Sequence, residues 1–581
     1  MKAMDALPRL YEFGDFRVDA HVRVLSERSG APVRLTPKAF DTLLYLLEHR
    51  DGFSTKDALI RALWPDRVVE ENNLDQNISA LRRALGERRD AHRYIVTVPG
   101  KGYRLVADVT IAAATHGPEL AAPVRSLAVL PFRPLASDLR DTPLELGMAD
   151  TLIARLTGLR EITVRPLGAV RKYLGVDRSP SEIGRELAVA AVLEGHLQRW
   201  KDTIRVSVSL IRVADSATLW AAAFDEKFDD IFTLQDSIAE HVADALRLEL
   251  DSSEKSRLRR HDTESTAAYA SYLKGRYFWW KTAPDEFAKS RDHFHQAVDD
   301  DPAYALGYCG LNSYYGFSAA WGLLPPDDAW GKAETAISKA LVLDDLSAEA
   351  HTGLAALKLV RYRDWAGAER AARRAIALNP RFDEAHYVYS FYLLVAGRFE
   401  EAIAEARRAL AIDPFSPRIN EFLGKCLYFA GRYDESIRQL RHTLEFDADN
   451  AVAHESLGDA LERDRQPAEA VAAWRRAMAL AGDDALASCL TDGFARGGIT
   501  EATRAVAELR LARLDAAAQA GRFLPAAAFA REYARAGEAA KARASLERAL
   551  DEPNVFALMI EIDPLYGGLR DSRAFAAASR G

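Results

Sequence analysis

Between Asn72 and Arg83 the sequence contains several amide and arginine side chains, at a spacing that would let them form hydrogen bonds to one ligand. Apolar residues recur through this stretch at intervals of four, three and four, which predicts an amphipathic helix with one buried stripe. The opposite face of that helix carries Asn72, Asn73, Gln76, Asn77, Ser79, Ala80, Arg82 and Arg83. Asparagine and glutamine can pair with adenine edges and arginine with guanine, while other basic groups neutralise phosphates. Taken alone, the pattern also fits an ordinary solvated polar face.

A predicted β-hairpin follows this helix, from Tyr94 to Val106, with its turn at Pro99-Gly100-Lys101-Gly102. Lys101 has a glycine on each side, so its ammonium group can enter a minor groove or approach a phosphate. Positive charge is concentrated here, with seven basic against three acidic residues in 72–104, although the whole chain has a net charge of −8. The helix and hairpin together therefore favour a nucleic-acid interface, to which Lys101 and Tyr103 are assigned.

Other short elements must position the predicted helix and hairpin. Alternating runs from Phe13 to Thr36 predict a small antiparallel sheet. Thr36 is a candidate N-cap for a first helix, Ser54 or Thr55 caps a second, and Pro65 ends it. The polar loop that leads to the third helix runs from 66 to 71.

Three stretches of residues 11–106 carry a family resemblance: LTPKAFDTLLYLLEHRDGFSTKDALIRALWP, LDQNISALRRALG and YIVTVPGKGYRLV. They resemble the winged-helix effector domain of OmpR/PhoB-type and CadC/ToxR-like regulators. The resemblance implies a third helix in the major groove of double-stranded DNA, a wing over the minor groove, and binding to tandem half-sites, with a homodimer on DNA as one arrangement. It also implies that the loop before the third helix touches RNA polymerase, through Asp66, Arg67, Glu70 and Glu71.

The resemblance carries over residue by residue. It places Asn73, Gln76 and Asn77 at base-reading or groove-facing positions, and Lys101 at the wing tip. Arg82 and Arg83 occupy its basic positions. This chain departs from many relatives at Pro99 and at Ser79-Ala80, where those relatives have arginines. Fewer charges predict weaker nonspecific binding to DNA.

The rest of the chain is expected to form a linker at 107–124, an α/β domain at 125–252 and a helical repeat domain at 265–581. The segment 125–252 is similar to the TolB N-terminal or FlgO-like fold. Ala396–Pro414 and Ala430–Ala448 match at an offset of 34 residues, which is the tetratricopeptide period. Stacked repeats predict a superhelix with a concave groove for an unknown protein, peptide or small-molecule effector. The expected fold class is thus multidomain: an α+β winged helix-turn-helix, a small α/β domain and an all-α superhelix.

Motifs for catalysis are missing from the sequence, so no enzyme activity and no cofactor are expected. His293 and His295 are two apart on a predicted helix and face different ways, which argues against a shared metal. The aromatic run Tyr277 to Trp280 could form a ligand cage, but packing between repeat helices is the favoured interpretation. The three separate cysteines favour a reducing compartment.

Two hypotheses of different classes remain open. The first is a cytoplasmic, one-component transcriptional regulator of a bacterial type. The apparent lack of a receiver domain, a signal peptide and a membrane helix then predicts an intracellular signal, with no membrane partner. The second is a tetratricopeptide scaffold that organises a complex and uses the winged helix for protein contacts.

Overall fold

The structure of the 581-residue chain is a computed structural model. It describes residues 9–19, 24–28, 32–33, 35–50, 52–63, 71–87, 93–98, 101–113, 124–134, 141–200, 203–227, 231–248, 250–251, 254, 258, 261–279 and 284–569. The chain divides into two compact units. The first contains Met1–Leu127, Arg178–Lys227 and Ser237–Glu249, and the second contains Ala128–Asp177, Phe228–Asp236 and Leu250–Gly581. Because both units draw on several stretches of chain, the domain boundaries placed from sequence remain a prediction.

The first unit begins with an antiparallel five-stranded sheet in the order β4-β3-β2-β1-β8. Its strands are β1 (Arg9–Phe13), β2 (Phe16–Asp19), β3 (Val24–Glu27), β4 (Pro32–Val33) and β8 (Val109–Ala113). The sheet predicted from Phe13 to Thr36 is thereby confirmed. The predicted linker is wrong for Val109–Ala113, because these residues pair in register with β1, from Val109 opposite Phe13 to Ala113 opposite Arg9. This pairing joins residues that are far apart in the sequence, and the small residues of this segment carry no local pattern that predicts a strand.

Three helices and a small second sheet complete the winged-helix part. They are α1 (Pro37–Glu48), β5 (Ser54–Thr55), α2 (Lys56–Leu63), α3 (Glu71–Ala84), β6 (Ile95–Val98) and β7 (Gly102–Leu105). The Thr36 hydroxyl accepts a hydrogen bond from the amide of Ala39 at 3.2 Å, and Thr55 does the same for Ala58 at 3.1 Å, so both predicted caps are present. Phe40, Leu59 and Leu81 are among the residues that form one buried core with the first sheet.

The following segment contains both strands and helices. They are β9 (Ser126–Val129), β10 (Arg133–Pro134), α4 (Thr142–Thr157), β11 (Thr163–Val164), α5 (Leu167–Val170), α6 (Pro180–Glu186), β12 (Ala191–Trp200), β13 (Thr203–Arg212), β14 (Thr218–Lys227) and α7 (Ile231–Ala245). In the first unit β12, β13 and β14 form an antiparallel meander, as the alternating sequence predicts for β13 and β14. The likeness of 125–252 to a TolB N-terminal or FlgO-like fold stays a prediction.

The second unit is dominated by helix pairs. They are α8 (Thr266–Trp279), α9 (Pro284–Asp300), α10 (Ala305–Ala320), α11 (Pro326–Leu343), α12 (Ala348–Val360), α13 (Trp365–Leu378), α14 (Asp383–Val395), α15 (Phe399–Ile412), α16 (Pro417–Phe429), α17 (Tyr433–Phe446), α18 (Ala451–Arg463), α19 (Pro467–Leu480), α20 (Asp484–Gln519), α21 (Ala526–Arg535), α22 (Ala539–Leu550) and α23 (Val555–Met559). Ala402, Ser436 and Ala470, which share the predicted register, are all buried. A Cβ atom at Gly458 would lie 2.4 Å from the Trp474 ring, which explains the small residue there. The repeat pattern predicted from sequence is confirmed.

The last helices turn back onto earlier repeats. Helix α20 is interrupted by non-helical backbone at Gly497 and Gly498, where the φ of Gly498 is 70°. Beyond this break, the Trp330 indole donates to the carbonyl of Pro553 at 2.8 Å, and Arg531 pairs with Glu455 at 3.2 Å. The C-terminal helices therefore contact two separated parts of the repeat region.

Aromatic and histidine side chains singled out in the sequence pack between helices. Trp279 lies against Phe287 and Phe317, and the His293 ring stacks on Phe278. This confirms packing between helices for Phe278 and Trp279, while the Tyr277 ring contacts Phe278 of the same helix. Trp280 lies outside the described residues. Within the described ranges, neither a cluster of metal-binding side chains nor a helix long and apolar enough to cross a bilayer is found.

A buried carboxyl group lies where the segment around α5 meets the repeats of the second unit. Asp413 has an exposed fraction of 1%. Burial raises the pKa of Asp413 to about 7, and the charge of Asp383 acts in the same direction. Arg165 and Arg171 oppose both effects. Folding therefore favours the protonated carboxyl group, since an unfolded aspartate has a pKa of about 3.9.

Unfolding of the second unit is accordingly expected to depend on pH. Its free energy of unfolding should fall as the pH rises from about 4 to about 7, by at most ~1.4 kcal/mol per pH unit, because the folded state binds the extra proton in this window. Urea titrations across these pH values measure the slope. Asp413→Asn should remove most of it, whereas Asp434→Asn, at an exposed position of α17, should leave it unchanged. Equal slopes in the wild type and Asp413→Asn would contradict the assignment.

Candidate nucleic-acid interface

The outward face of α3 carries the polar residues that the sequence assigned to it. Leu74, Ile78 and Leu81 are buried on the opposite face, as predicted. Asn73, Gln76, Ser79 and Arg83 are exposed, while Asn77, Ala80 and Arg82 are partly buried; Asn72 lies in the first turn. Asp75, Gln76, Ser79, Ala80 and Arg83 line a shallow depression along this face.

Several of these side chains are available for a partner. Those of Asn73, Gln76 and Arg83 make no hydrogen bond or ion pair with another residue that the structure describes. The Ser79 hydroxyl donates to the carbonyl of Asp75 at 2.8 Å, which leaves its lone pairs free to accept. The face can thus present amide donors and acceptors beside one guanidinium group, as a base edge and a phosphate require.

The wing is a three-stranded sheet in the order β5-β7-β6. Lys101 stands exposed at its turn, with its amine 5.7 Å from the centre of the Phe53 ring. Gly102 follows with a φ of 153°, and a Cβ atom there would lie 2.0 Å from the carbonyl oxygen of Ser54. Glycine at this position therefore lets β7 approach β5 and fixes the base of the tip.

Arg82 joins the recognition helix to the wing. Its guanidinium group donates to the carbonyl of Ile95 at 2.8 Å and to the hydroxyl of Thr97 at 2.9 Å. It also lies 3.5 Å from the carboxylate of Glu87, whose side chain is 1% exposed. That carboxylate accepts hydrogen bonds from the amides of Tyr94 and Ile95. A buried charge-assisted network thus sets the angle between α3 and β6.

Tyr103 makes a second link between wing and helix. Its exposed fraction is 5%, and its hydroxyl donates to the Asp75 carboxylate at 2.6 Å. Burial, followed by this hydrogen bond, raises the pKa of Tyr103 to about 12, so the hydroxyl keeps its proton at neutral pH. Lys56 at the start of α2 lies 3.4 Å from the same carboxylate. The Asp75 carboxylate of α3 therefore contacts both α2 and β7.

The side chains of the four residues assigned to the polymerase contact are not described, and one exposed arginine was not predicted from the sequence. Asp66, Arg67 and Glu70 fall outside the described residues, and Glu71 begins α3 with a side chain that is not described. Arg104 is exposed on β7, between buried Tyr103 and Leu105. The alternation of strand residues was the signal that could have placed it on the outer face of the wing.

Comparison with known protein families matches three stretches of the chain. Residues 30–105 match the family described as "Transcriptional regulatory protein, C terminal". Residues 123–241 match "HilA/YgeH-like transcriptional regulator, second domain". Residues 359–426 and 393–460 match the tetratricopeptide repeat.

Individual proteins are also similar to parts of this chain. Transcriptional regulator HilA of Salmonella typhimurium is 25% identical over 397 residues, which cover 68% of each chain. Putative adenylate cyclase 3 of Rhizobium meliloti is 28% identical over 230 residues, or 39% of each chain. The solved DNA-binding domain of E. coli CadC is similar to 18% of this chain over its whole length, at 29% identity and a TM-score of 0.17.

These matches occur in the order in which the elements follow one another along the chain. The OmpR/PhoB-type match contains α1 to α3 and the wing, and the repeat matches lie within α12 to α18. The chain therefore carries an OmpR/PhoB-type winged-helix domain, a HilA-like regulator domain and tetratricopeptide repeats, and it is a DNA-binding transcription regulator of a bacterial type.

Proposed function

We propose that this protein reads a specific sequence of double-stranded DNA with α3 in the major groove and the wing tip over the minor groove. One observation carries this proposal: exposed Asn73, Gln76 and Arg83 lie on one face of a helix that Arg82 and Tyr103 tie to the wing bearing Lys101. Helix and wing are thereby held in one orientation before any ligand arrives, which lowers the entropic cost of binding both grooves.

The residues take different parts in this proposal. Gln76 and Asn73, with Asn72, Asn77, Ser79 and Ala80 around them, read base edges. Arg83, Lys101 and the newly found Arg104 neutralise phosphates. Arg82 and Tyr103, which the sequence assigned to DNA contact, act as positioning residues because their polar groups are engaged within the domain.

The proposal also includes binding partners other than a single DNA site. Two copies of the chain bind tandem half-sites, RNA polymerase contacts the loop before α3, and the repeat superhelix binds the effector that sets DNA occupancy. The protein acts in the cytoplasm as a one-component regulator and does not catalyse a reaction. The competing scaffold hypothesis has no specific observation in its favour, but it predicts that DNA does not bind.

The test uses the full chain and sites selected by it from random DNA. Fluorescence anisotropy at increasing salt should show the logarithm of the binding constant falling linearly with the logarithm of salt concentration, with a slope of roughly −3 per bound winged helix for three neutralised phosphates. Failure to select any sequence, or binding that ignores salt, would reject the proposal in favour of the scaffold.

Single substitutions separate reading from positioning on the selected site. Lys101→Ala should weaken binding by a similar factor for every sequence and make the salt slope about one unit shallower, since one phosphate contact is lost. Gln76→Ala should relax preference at one base position, by about 1–3 kcal/mol of discrimination, and leave the salt slope unchanged. Lys339→Ala, at an exposed lysine on α11, is the matched control and should change neither. If Lys101→Ala and Gln76→Ala had the same sequence-independent effect, this division of roles would be wrong.

A further inference from the structure

The C-terminal helices border a partly open cavity of about 660 Å³ in the second unit. Its walls come from α16 to α18 on one side and from the second part of α20, α21 and the segment after α22 on the other. The volume lies within the range of about 300–1,000 Å³ that is typical of small-molecule sites. Because α21 is held against α18 by the pairs Arg531–Glu455 and Arg535–Asp459, the cavity is bounded on both sides by fixed helices.

Most of the wall is apolar. It includes Phe429, Leu440, Leu514, Met559 and Ile560. An apolar ligand body placed here would lose contact with water, which is favourable in proportion to the area buried.

The polar part of the wall has an excess of positive charge. Seven basic side chains line the cavity against four acidic ones: Lys425, Arg463, Arg510, Arg513, Arg522, Arg531 and Arg535 against Glu455, Asp459, Glu532 and Asp563. Burial raises the pKa of Asp563, which reduces the negative side further. Arg463 forms no ion pair within 4.0 Å among the described residues.

Three buried polar atoms of this wall have no hydrogen-bond partner among the described residues. They are the Nε atoms of Arg463 and Arg535 and one carboxylate oxygen of Glu532. A buried donor without a partner is costly, and it gains most from an acceptor that carries negative charge. Arg535 already pairs with Asp459 and Glu462 through its terminal nitrogen, so only its Nε remains to be satisfied, whereas Arg463 has no ion-pair partner among the described residues. An acidic group bound beside these two arginines would supply the acceptor that both Nε donors lack, and Glu532 can accept a hydrogen bond from a neighbouring donor group of the same ligand.

We propose that this cavity binds one small organic anion, whose apolar body lies against the hydrophobic wall and whose acidic group accepts hydrogen bonds from Arg463 and Arg535. The inference rests on the proposed sensing role of the repeats and names the class of effector. A small molecule fits better than an extended peptide, since α21 is held against α18 and the cavity beside them has a volume of only about 660 Å³.

The experiment compares two probes that share an aromatic body. The probes are 8-anilinonaphthalene-1-sulfonate and the uncharged N-phenyl-1-naphthylamine, both titrated by fluorescence into the full-length protein without DNA. The sulfonate should bind one site per chain about tenfold more tightly than the neutral probe, because a charge-assisted hydrogen bond forms only with the anion. Arg463→Gln should remove most of this preference and leave the affinity for the neutral probe unchanged.

Two further variants keep the test decisive. Ala528→Trp fills the cavity from α21 and should abolish binding of both probes, while circular dichroism checks that the helices remain. Arg475→Gln, at an exposed arginine of α19, should bind both probes as the wild type does. Equal affinities for the two probes, several sites per chain, or a preference that survives Arg463→Gln would overturn the proposal. None of these readouts involves DNA, so their failure is distinct from failure of the DNA-binding proposal.

Discussion

Glu87→Ala is expected to abolish tight DNA binding although the Glu87 side chain is buried inside the domain. The variant leaves two backbone amides and the Arg82 guanidinium group without the carboxylate that they share. The two amides then lack their acceptor, which costs about 1–3 kcal/mol for each buried group left unsatisfied, and the partly buried Arg82 loses its counter-charge. The wing should therefore separate from α3. Hydrogen exchange should then speed up across 93–98, and affinity for a selected site should fall by at least a hundredfold.

Graded and matched variants check this result. Glu87→Gln keeps one acceptor oxygen for the amides but loses the charge beside Arg82, so its effect should lie between those of the wild type and Glu87→Ala. Glu547→Ala, at an exposed position of α22, should change neither exchange nor affinity. Unchanged exchange at 93–98 in Glu87→Ala would show that the wing does not depend on this carboxylate.

Gly102→Val is the second substitution with a large expected effect. Any Cβ atom at this position would approach the Ser54 carbonyl oxygen to 2.0 Å, while Gly102 pairs in register with Thr55. The side chain must therefore force β5 and β7 apart, and the tip that carries Lys101 loses its fixed base. Strain and lost pairing together should destabilise the wing by roughly 2 kcal/mol or more. Both DNA affinity and the steepness of its salt dependence should decrease, as anisotropy titrations will measure.

A second glycine supplies the control for this substitution. Gly52 lies before β5, and a Cβ atom added there would have no neighbouring atom within 4 Å, so Gly52→Ala should be tolerated. A Gly102→Val protein with wild-type affinity and salt slope would show that the approach of β7 to β5 is dispensable.

Periodicity in the sequence was sufficient to predict the buried faces of α3 and of the repeat helices. The stripe of Leu74, Ile78 and Leu81 could be placed on the buried side of α3 because every turn of a helix repeats the same environment. The repeat register that buries Ala402 and Ala470 was predictable for the same reason. Patterns of this kind depend on neighbours that are close in the sequence.

The sequence could not show how individual polar groups are used. Arg82 looks like a groove-facing residue by its spacing, yet acceptors on β6, thirteen and fifteen positions further along the chain, bind its guanidinium group. Tyr103 likewise donates to Asp75 across the domain. The return of the C-terminal helices onto earlier repeats depends on contacts such as Trp330 with Pro553, which are farther apart still in the sequence. Contacts of this kind depend on the folded backbone, which no local pattern specifies.

Strand β8 has a consequence for any attempt to isolate the winged-helix domain. A fragment that ends at Val106 lacks this strand, so the backbone edge of β1, which bears buried Tyr11 and Phe13, becomes open to other molecules. Unpaired edges of this kind promote association between chains. A fragment that continues through Ala113 should stay monomeric in dilute solution, whereas the shorter one should aggregate.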